Sequence, residues 1–600
     1  MTVEPAPQHV PAGRPDTTDA ELRPHRGVID RAVGRARGLG PRGQAAAAFG
    51  GYLAVSMALW GWRLFPRFGA AYLSGGWSDA RFDAWCLGWW PHAILHGWDP
   101  LHAGVLWAPA GVNTALVTSM PGPSILLAPL TLAAGPVVTE NVLFLLAPAL
   151  AGWAAYLLCR RITGRFWPSV AGGYAFGLST FLTVQMAGHL NLALVFPVPL
   201  CAYLVVRRVE GSLTPRRFTI LLALTLLLEL STSTEIFVTM TFVGGLVVLG
   251  GLAFGVPEVR RSLLRALPAI GLAYVIAILV AAPLVVATSQ GLRTPPVPIR
   301  THATPAVAYQ EYLQHYSVDL LGFVLPRPRQ LLGASLAAPA AAGIGVAASE
   351  DAAYVGLPLL AVVVLSALTE RRRRAAWLLL ALFLACVVLA LGPTLQVGGT
   401  GHGSLPWTWV ARFAILRPAL PARFMVFAWL TLGVIVATWL AAAGRSAWLR
   451  GALVVLGLVA ILPSVRPPSS AAVPAFFSRG LYRSYLQPGS TVLAIPFYTP
   501  NTSMPWQVAA DYSFRLAGAY VGFRAIPDQA ASLPVVEALV ADKPWWTSPA
   551  ELAAYLARHD VRAVVVLDRE QATWGPILAS LHLTAVPVGG ISLYRVPAPG

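Results

Sequence analysis

Two carboxylates four residues apart, Asp79 and Asp83, stand at the head of the stretch SDARFDAWCLGWWPHAILHGWDPLHAGVLWAPAGVN, residues 78–113. If 79–96 is helical, residues four apart share a face, so the acids are neighbours on one surface. Phe82, Trp85 and Trp89 form an adjoining aromatic stripe of the kind that settles at lipid headgroup level. Two close acids in a partly desolvated place drive their pKa values apart, and the ionised one can act as a general base. Asp79 also suits the helix N-terminus, where Asp caps well. His92 and His96 are again four apart, and with Asp79 or Asp83 they leave a divalent cation open as a cofactor. No Cys or His–Glu pairing adds to that set. His189, in the GHLN turn, reads either as a buried polar contact or as a substrate ligand.

What must position these residues is a membrane bundle. The 600-residue chain is 56% hydrophobic and 12% charged, against about 25% charged in soluble domains. Apolar runs cover 46–65, 138–158, 168–186, 190–206, 218–233, 235–255, 266–288, 351–369, 375–393, 421–443 and 451–466. The expected fold is therefore an all-α polytopic transmembrane bundle of about eleven spans. The net charge of +17 does not point to nucleic acid, because the arginines sit in short clusters between apolar runs, as in cytoplasmic loops. The cysteines (Cys86, Cys159, Cys201, Cys386) are scattered, without the spacing of a metal site or a disulfide framework.

The arginine clusters also set orientation. Arg160–Arg161–Arg165, Arg207–Arg208, Arg216–Arg217, Arg260–Arg261–Arg265, Arg371–Arg374 and Arg445–Arg450 all fall on the cytoplasmic side only if 119–135 does not cross. Pro121, Pro123 and Pro129 make that segment a re-entrant or surface helix, tolerable where protein covers it. Residues 1–45, polar and rich in Pro and Arg, read as a disordered cytoplasmic tail rather than a cleavable signal. The domains expected are this tail, a transmembrane domain over 46–466 with an exoplasmic loop at 66–137, and a small exoplasmic α/β domain over 467–600. TVLAIPFY (491–498), VRAVVVL (561–567) and ISLYRV (591–596) read as strands of that last domain. Its MPWQ (504–507) and Trp545–Trp546 suit a membrane surface, a glycan or a core. Asp79, Asp83, Glu311, Asp319, Glu350 and Asp351 then lie outside, with Glu235 at the outer end of a span, where a charge is costly unless used or paired.

The run SDARFDAWCLGWWPHAILHGWDPL with WAPAGVN resembles the first exoplasmic loop of bacterial membrane glycosyltransferases of the GT-C superfamily. GPVVTEN, RRITG, AGGYAFGLS, GHLNL, STSTE, AAYVGLPLL, LGPTLQVGG and LRPALPARF extend the likeness over roughly 80–600, toward its actinobacterial-type members. The resemblance implies a multi-pass protein of the bacterial plasma membrane. It would move a sugar from a polyprenyl-phosphate donor to an exoplasmic glycan or protein acceptor, with inversion. It implies Asp79 as the base, with Asp83 second and Glu235 third. Many members carry a compact acidic pair, whereas this chain has Asp79-x-x-x-Asp83. The leaving phosphate calls for cationic donors, and Arg412, Arg417 and Arg423 depart from the inside-positive trend. His189, Trp89, His92 and Asn113 complete the list as substrate-binding candidates. The other readings are a lipid-linked glycan flippase or transporter, and a non-catalytic envelope assembly protein. Transporters place ionisable groups near the midplane and show internal repeats, features this sequence lacks.

The orientation is directly testable. Cysteines replacing Leu320 and Ser580 should react with a membrane-impermeant maleimide on intact cells, and one replacing Arg372 only after permeabilisation. The opposite pattern would sink the topology.

Overall fold

The computed structural model describes residues 39–75, 78–293, 311–345, 350–413, 415–498, 503–522, 525–527 and 533–597. Most of the tail expected over 1–45, and residues 294–310 and 346–349, lie outside the described residues. The first helix already begins at Pro41, because proline's fixed φ and missing N–H suit the first helical turn.

Six helices are long and apolar enough to cross a membrane: α1 (Pro41–Arg67), then Pro136–Thr163, Leu190–Val209, Thr234–Phe254, Pro257–Val280 and Pro421–Ala441. Between them in chain order come α2 (Ser78–Leu95), α3 (Pro121–Leu126) and α4 (Ala128–Ala134). The crossing helix Pro136–Thr163 is α5, followed by α6 (Phe166–Gly177), α7 (Thr180–Gln185) and α8 (Leu190–Val209). Next are α9 (Pro215–Thr232), α10 (Thr234–Phe254), α11 (Pro257–Val280) and α12 (Ala282–Arg293). The series ends with α13 (Leu357–Thr369), α14 (Arg374–Ala390), α15 (Pro421–Ala441) and α16 (Ala447–Ala460).

Helices thus occupy each of the apolar runs, but several are broken or short. The run at 168–186 is split by Ser179, whose hydroxyl accepts from Leu182 N–H and starts α7 afresh. The run at 266–288 breaks after Val280. The 119–135 segment is two helices of six and seven residues, each about 10 Å long against a hydrocarbon core of about 30 Å.

α5, α6 and α15 pack backbone to backbone. A Cβ on Gly172 of α6 would lie 2.4 Å from Gly433 O of α15, and one on Gly173 would lie 2.5 Å from Gly152 O of α5. Small residues at such crossings let helices approach without a hydrophobic driving force between them. The main core continues from these helices through Phe144, Phe176, Phe181, Phe424 and Trp429.

A second core lies under the C-terminal region. There β1 (Thr491–Ile495), β2 (Arg515–Leu516), α17 (Pro549–Arg558), β3 (Val561–Leu567), β4 (Ala585–Val588) and β5 (Ile591–Arg595) follow in order. They form a five-stranded sheet in the order β4-β5-β3-β1-β2. β1 runs parallel to both β2 and β3, while β5 is antiparallel to β3 and β4. Its core takes in Phe82, Trp85 and Trp89 of α2 together with Phe477, Trp506 and Phe514. The aromatic stripe of α2 therefore faces protein, not lipid headgroups. Trp506 of the MPWQ segment is likewise core, whereas Trp545 and Trp546 are exposed.

Gly172→Val should force α6 from α15, because a backbone carbonyl and the Cys159 sulfur meet the new side chain. Overpacking costs about 1–3 kcal/mol or more. A melting temperature in detergent equal to wild type would contradict the contact.

Candidate active site

The acidic face of α2 docks on the turn that opens α8. Asp79 Oδ2 lies 3.1 Å from His189 Nε2. One turn further along, Asp83 Oδ2 accepts from the Leu190 N–H at 3.1 Å. The (i, i+4) acids thus grip consecutive residues, which is why their spacing is a helical one. The other Asp79 oxygen, Oδ1, accepts from the Tyr520 hydroxyl at 2.5 Å. Tyr520 comes from the C-terminal region, so two distant parts of the chain meet on one carboxylate.

The pKa values of the two acids are pushed in opposite directions. For Asp79, burial works against the charge. The His189 contact, the Tyr520 hydrogen bond and the charge of Arg423 outweigh it and hold the carboxyl below its ordinary value. Asp83 is pushed well above its ordinary value, first by burial and then by Asp79's charge, which the Leu190 N–H only partly offsets. Paired carboxyls with separated pKa values divide into an ionised base and a neutral acid.

A second cluster holds Arg423, at the start of α15. Its Nη2 and Nε donate to Glu350 Oε1 at 2.8 and 3.1 Å, and its Nη1 to Glu235 Oε2. Glu235 Oε1 accepts from Leu420 N–H at 2.8 Å, joining the start of α10 to the start of α15. The Arg423 and Glu350 side chains are 15% and 1% exposed, so each charge depends on the other. Tyr316 links the clusters. Burial raises its hydroxyl pKa, Glu350 and Asp79 add to that, and Arg423 opposes it.

Of the residues singled out from sequence, the structure brings together Asp79, Asp83 and His189, and pairs Glu235 with Arg423. It does not bring the others to them. Trp89 is buried, stacked on Trp85 at 5.2 Å, with its indole N–H on Pro100 O at 3.0 Å. His92 Nδ1 contacts Asp511 at 3.2 Å and stacks on His96 at 4.1 Å. It sits thirteen residues beyond Asp79 on α2, about 20 Å along a helix. Burial and His96 push His92 below its ordinary value, with Asp511 opposing. Asn113 donates to Ala287 O at 2.9 Å and caps Ala115 N–H at 3.0 Å, stapling its loop to α12. Arg412 and Arg417 are exposed, Arg412 lying 4.7 Å over the Trp409 ring.

The Arg423 guanidinium already bridges Glu235 and Glu350. Among the described residues no group of three His, Cys, Asp or Glu is arranged to hold a metal ion.

Two partners escaped the sequence reading as site residues: Glu350, noted only as an outer acid, and Tyr520, for which no local signal exists. A third feature is an apolar cavity of about 740 Å³ lined by Ile125 and Leu126 of α3, Leu224, Leu228 and Ser231 of α9, and Leu284 of α12. Ser231 is four residues before Glu235.

The arabinofuranosyltransferase AftD from Mycobacteria is similar in structure, with a TM-score of 0.55 and 14% identity. The match covers 94% of this chain and 40% of that one, so the chain spans two fifths of the length of AftD. The apo oligosaccharyltransferase of Archaeoglobus fulgidus has a TM-score of 0.50 and 12% identity, over 92% of this chain and 74% of that one. ArnT from Cupriavidus metallidurans, bound to undecaprenyl phosphate, has a TM-score of 0.49 and 11% identity, over 92% and 98%. These neighbours are GT-C glycosyltransferases, and at such identities the likeness to them is one of fold. No curated protein matches the sequence. The family model described as a domain of unknown function, DUF6311, matches residues 47–465, more than half of the chain, which therefore belongs to the DUF6311 family.

Proposed function

We propose that this protein transfers a sugar from a polyprenyl-phosphate donor to an exoplasmic glycan or protein acceptor, with inversion at the anomeric carbon. The supporting observation is the geometry of the Asp79 carboxylate, whose two oxygens are held by His189 and Tyr520, with its carboxyl pushed below and that of Asp83 above the ordinary value. In this reading Asp79 takes the proton of the acceptor hydroxyl as that oxygen bonds to the anomeric carbon. The bond from that carbon to the phosphate oxygen breaks, and polyprenyl phosphate leaves with the electron pair. The apolar cavity between α3, α9 and α12 suits a prenyl chain, since hydrocarbon gains by leaving water and needs no polar partner there.

Roles for the cations follow from their partners. Arg423 has three nitrogens bonded to Glu235 and Glu350, so its part is to hold those two carboxylates at the mouth of the bundle. Asp83 is read as the neutral neighbour that fixes α2 against the His189 turn. The same reading places the protein in the bacterial plasma membrane, with the site and residues 467–600 outside and the transmembrane domain over 46–466. Lipid donors are consistent with the fold neighbours, one of which was solved with undecaprenyl phosphate.

Asp79→Asn should lower sugar transfer in membranes by about 10²–10⁴-fold, the usual contribution of a general base, with protein abundance unchanged. The assay pairs purified protein with a panel of polyprenyl-phosphate sugars. Wild-type turnover by that variant would refute the assignment.

A further inference from the structure

Tyr520 follows a segment tied down by four hydrogen bonds from other parts of the chain. Its segment follows β2. Leu516 N–H donates to Val105 O at 2.8 Å, and Ala108 N–H to Leu516 O at 2.9 Å. The Trp107 indole donates to Ala519 O at 3.0 Å, and the Tyr555 hydroxyl of α17 to Ala517 O at 2.7 Å. The first loop therefore clamps residues 516–519 from one side and α17 from the other. The Tyr520 ring meets Phe82 of α2 edge-on at 6.3 Å and Tyr498 at 4.9 Å, which aims its hydroxyl at Asp79 Oδ1. The phenol is not a surface group that happens to reach a carboxylate.

The chemistry of the contact is one-sided. A phenol donating to a carboxylate stabilises the ionised form and fixes one oxygen in space. His189 holds the other oxygen, Oδ2. With both oxygens tethered, the carboxylate plane cannot rotate freely, and the lone pairs left over point in set directions. We infer that Tyr520 is a positioning residue for Asp79, through which the C-terminal region forms part of the active site and sets the orientation and ionisation of the base. This rests on the reading of Asp79 as the base in the proposed transfer.

Several other groups face Asp79. Asp83 lies on α2 itself, His189 on the turn before α8, and Arg423 at the start of α15. Tyr316 precedes α13, and Tyr498 belongs to the C-terminal region. Tyr520→Phe leaves all of these in place, keeps the ring packing, and deletes one donor to the carboxylate.

The sign follows. Losing a donor to the charged form raises the carboxyl pKa, by about one pH unit for one hydrogen bond to a charged group. A base works deprotonated, so the acid limb of the kcat/KM profile should move up by the same amount, while KM for the acceptor changes little. An activity-independent readout is carbodiimide labelling of the purified full chain as a function of pH, since protonated carboxyls react. Cleavage after Arg67 and Arg81 leaves Asp79 as the one acidic side chain of its peptide, so mass spectrometry reports it apart from Asp83. Size-exclusion chromatography checks that the variant remains folded.

A labelling midpoint for Asp79 that rises in Tyr520→Phe, together with the acid limb, supports both the inference and the proposed transfer. A midpoint that stays put overturns the inference whatever the activity. A risen midpoint, with neither protein transferring sugar from any donor in the panel, upholds the coupling of Tyr520 to Asp79 and removes the transferase reading instead.

Discussion

A carboxylate that stays charged at the edge of an apolar bundle must collect its donors from wherever the fold can bring them, and Asp79 collects them from three places. His189 arrives on the turn before α8, Tyr520 from the C-terminal region, and Arg423 acts through its charge from the start of α15. Each supplier has to be fixed in turn. Asp83 ties α2 to the same turn as His189, and the first loop ties the Tyr520 segment to the sheet. Desolvation acts on all these groups at once, so the arrangement holds only when the donors are present together.

The Arg423 cluster shows the same logic in ion pairs. Glu350 is almost fully enclosed, and an isolated charge there would be costly. Arg423 answers it while also holding Glu235, so the starts of α10 and α15 are pinned by one guanidinium. Buried pairs of this kind contribute little net stability compared with apolar packing. Their effect here is to fix where two helices begin.

Much of this was legible in the sequence where the signal is local. Helical spacing put Asp79 and Asp83 on one face, and the prolines of 119–135, read as one re-entrant or surface helix, fall in a segment that folds as two short helices. Charges at span ends singled out Glu235 and Arg423 individually. Their mutual pairing was not legible, because it closes across 188 residues, and no spacing rule reaches that far. The stripe of Phe82, Trp85 and Trp89 misled for a different reason. Periodicity reveals that a face is apolar, but lipid and protein are equally good covers for it, and here the cover is the C-terminal core. Asn113 and Trp89 have conspicuous polar atoms whose partners are backbone carbonyls, which sequence does not display.

The 441 residues that separate Tyr520 from Asp79 also order events in time. Helix α2 is made early and can dock on its turn as soon as α8 exists, yet at that stage Asp79 lacks one of its two tethers. Only when synthesis has passed Tyr520, and α17 has folded to clamp its segment, does the carboxylate reach its final environment. An unfinished chain would then hold its apolar helices and the cavity between α3, α9 and α12 with one Asp79 oxygen untethered, so the surroundings of this carboxylate are completed last.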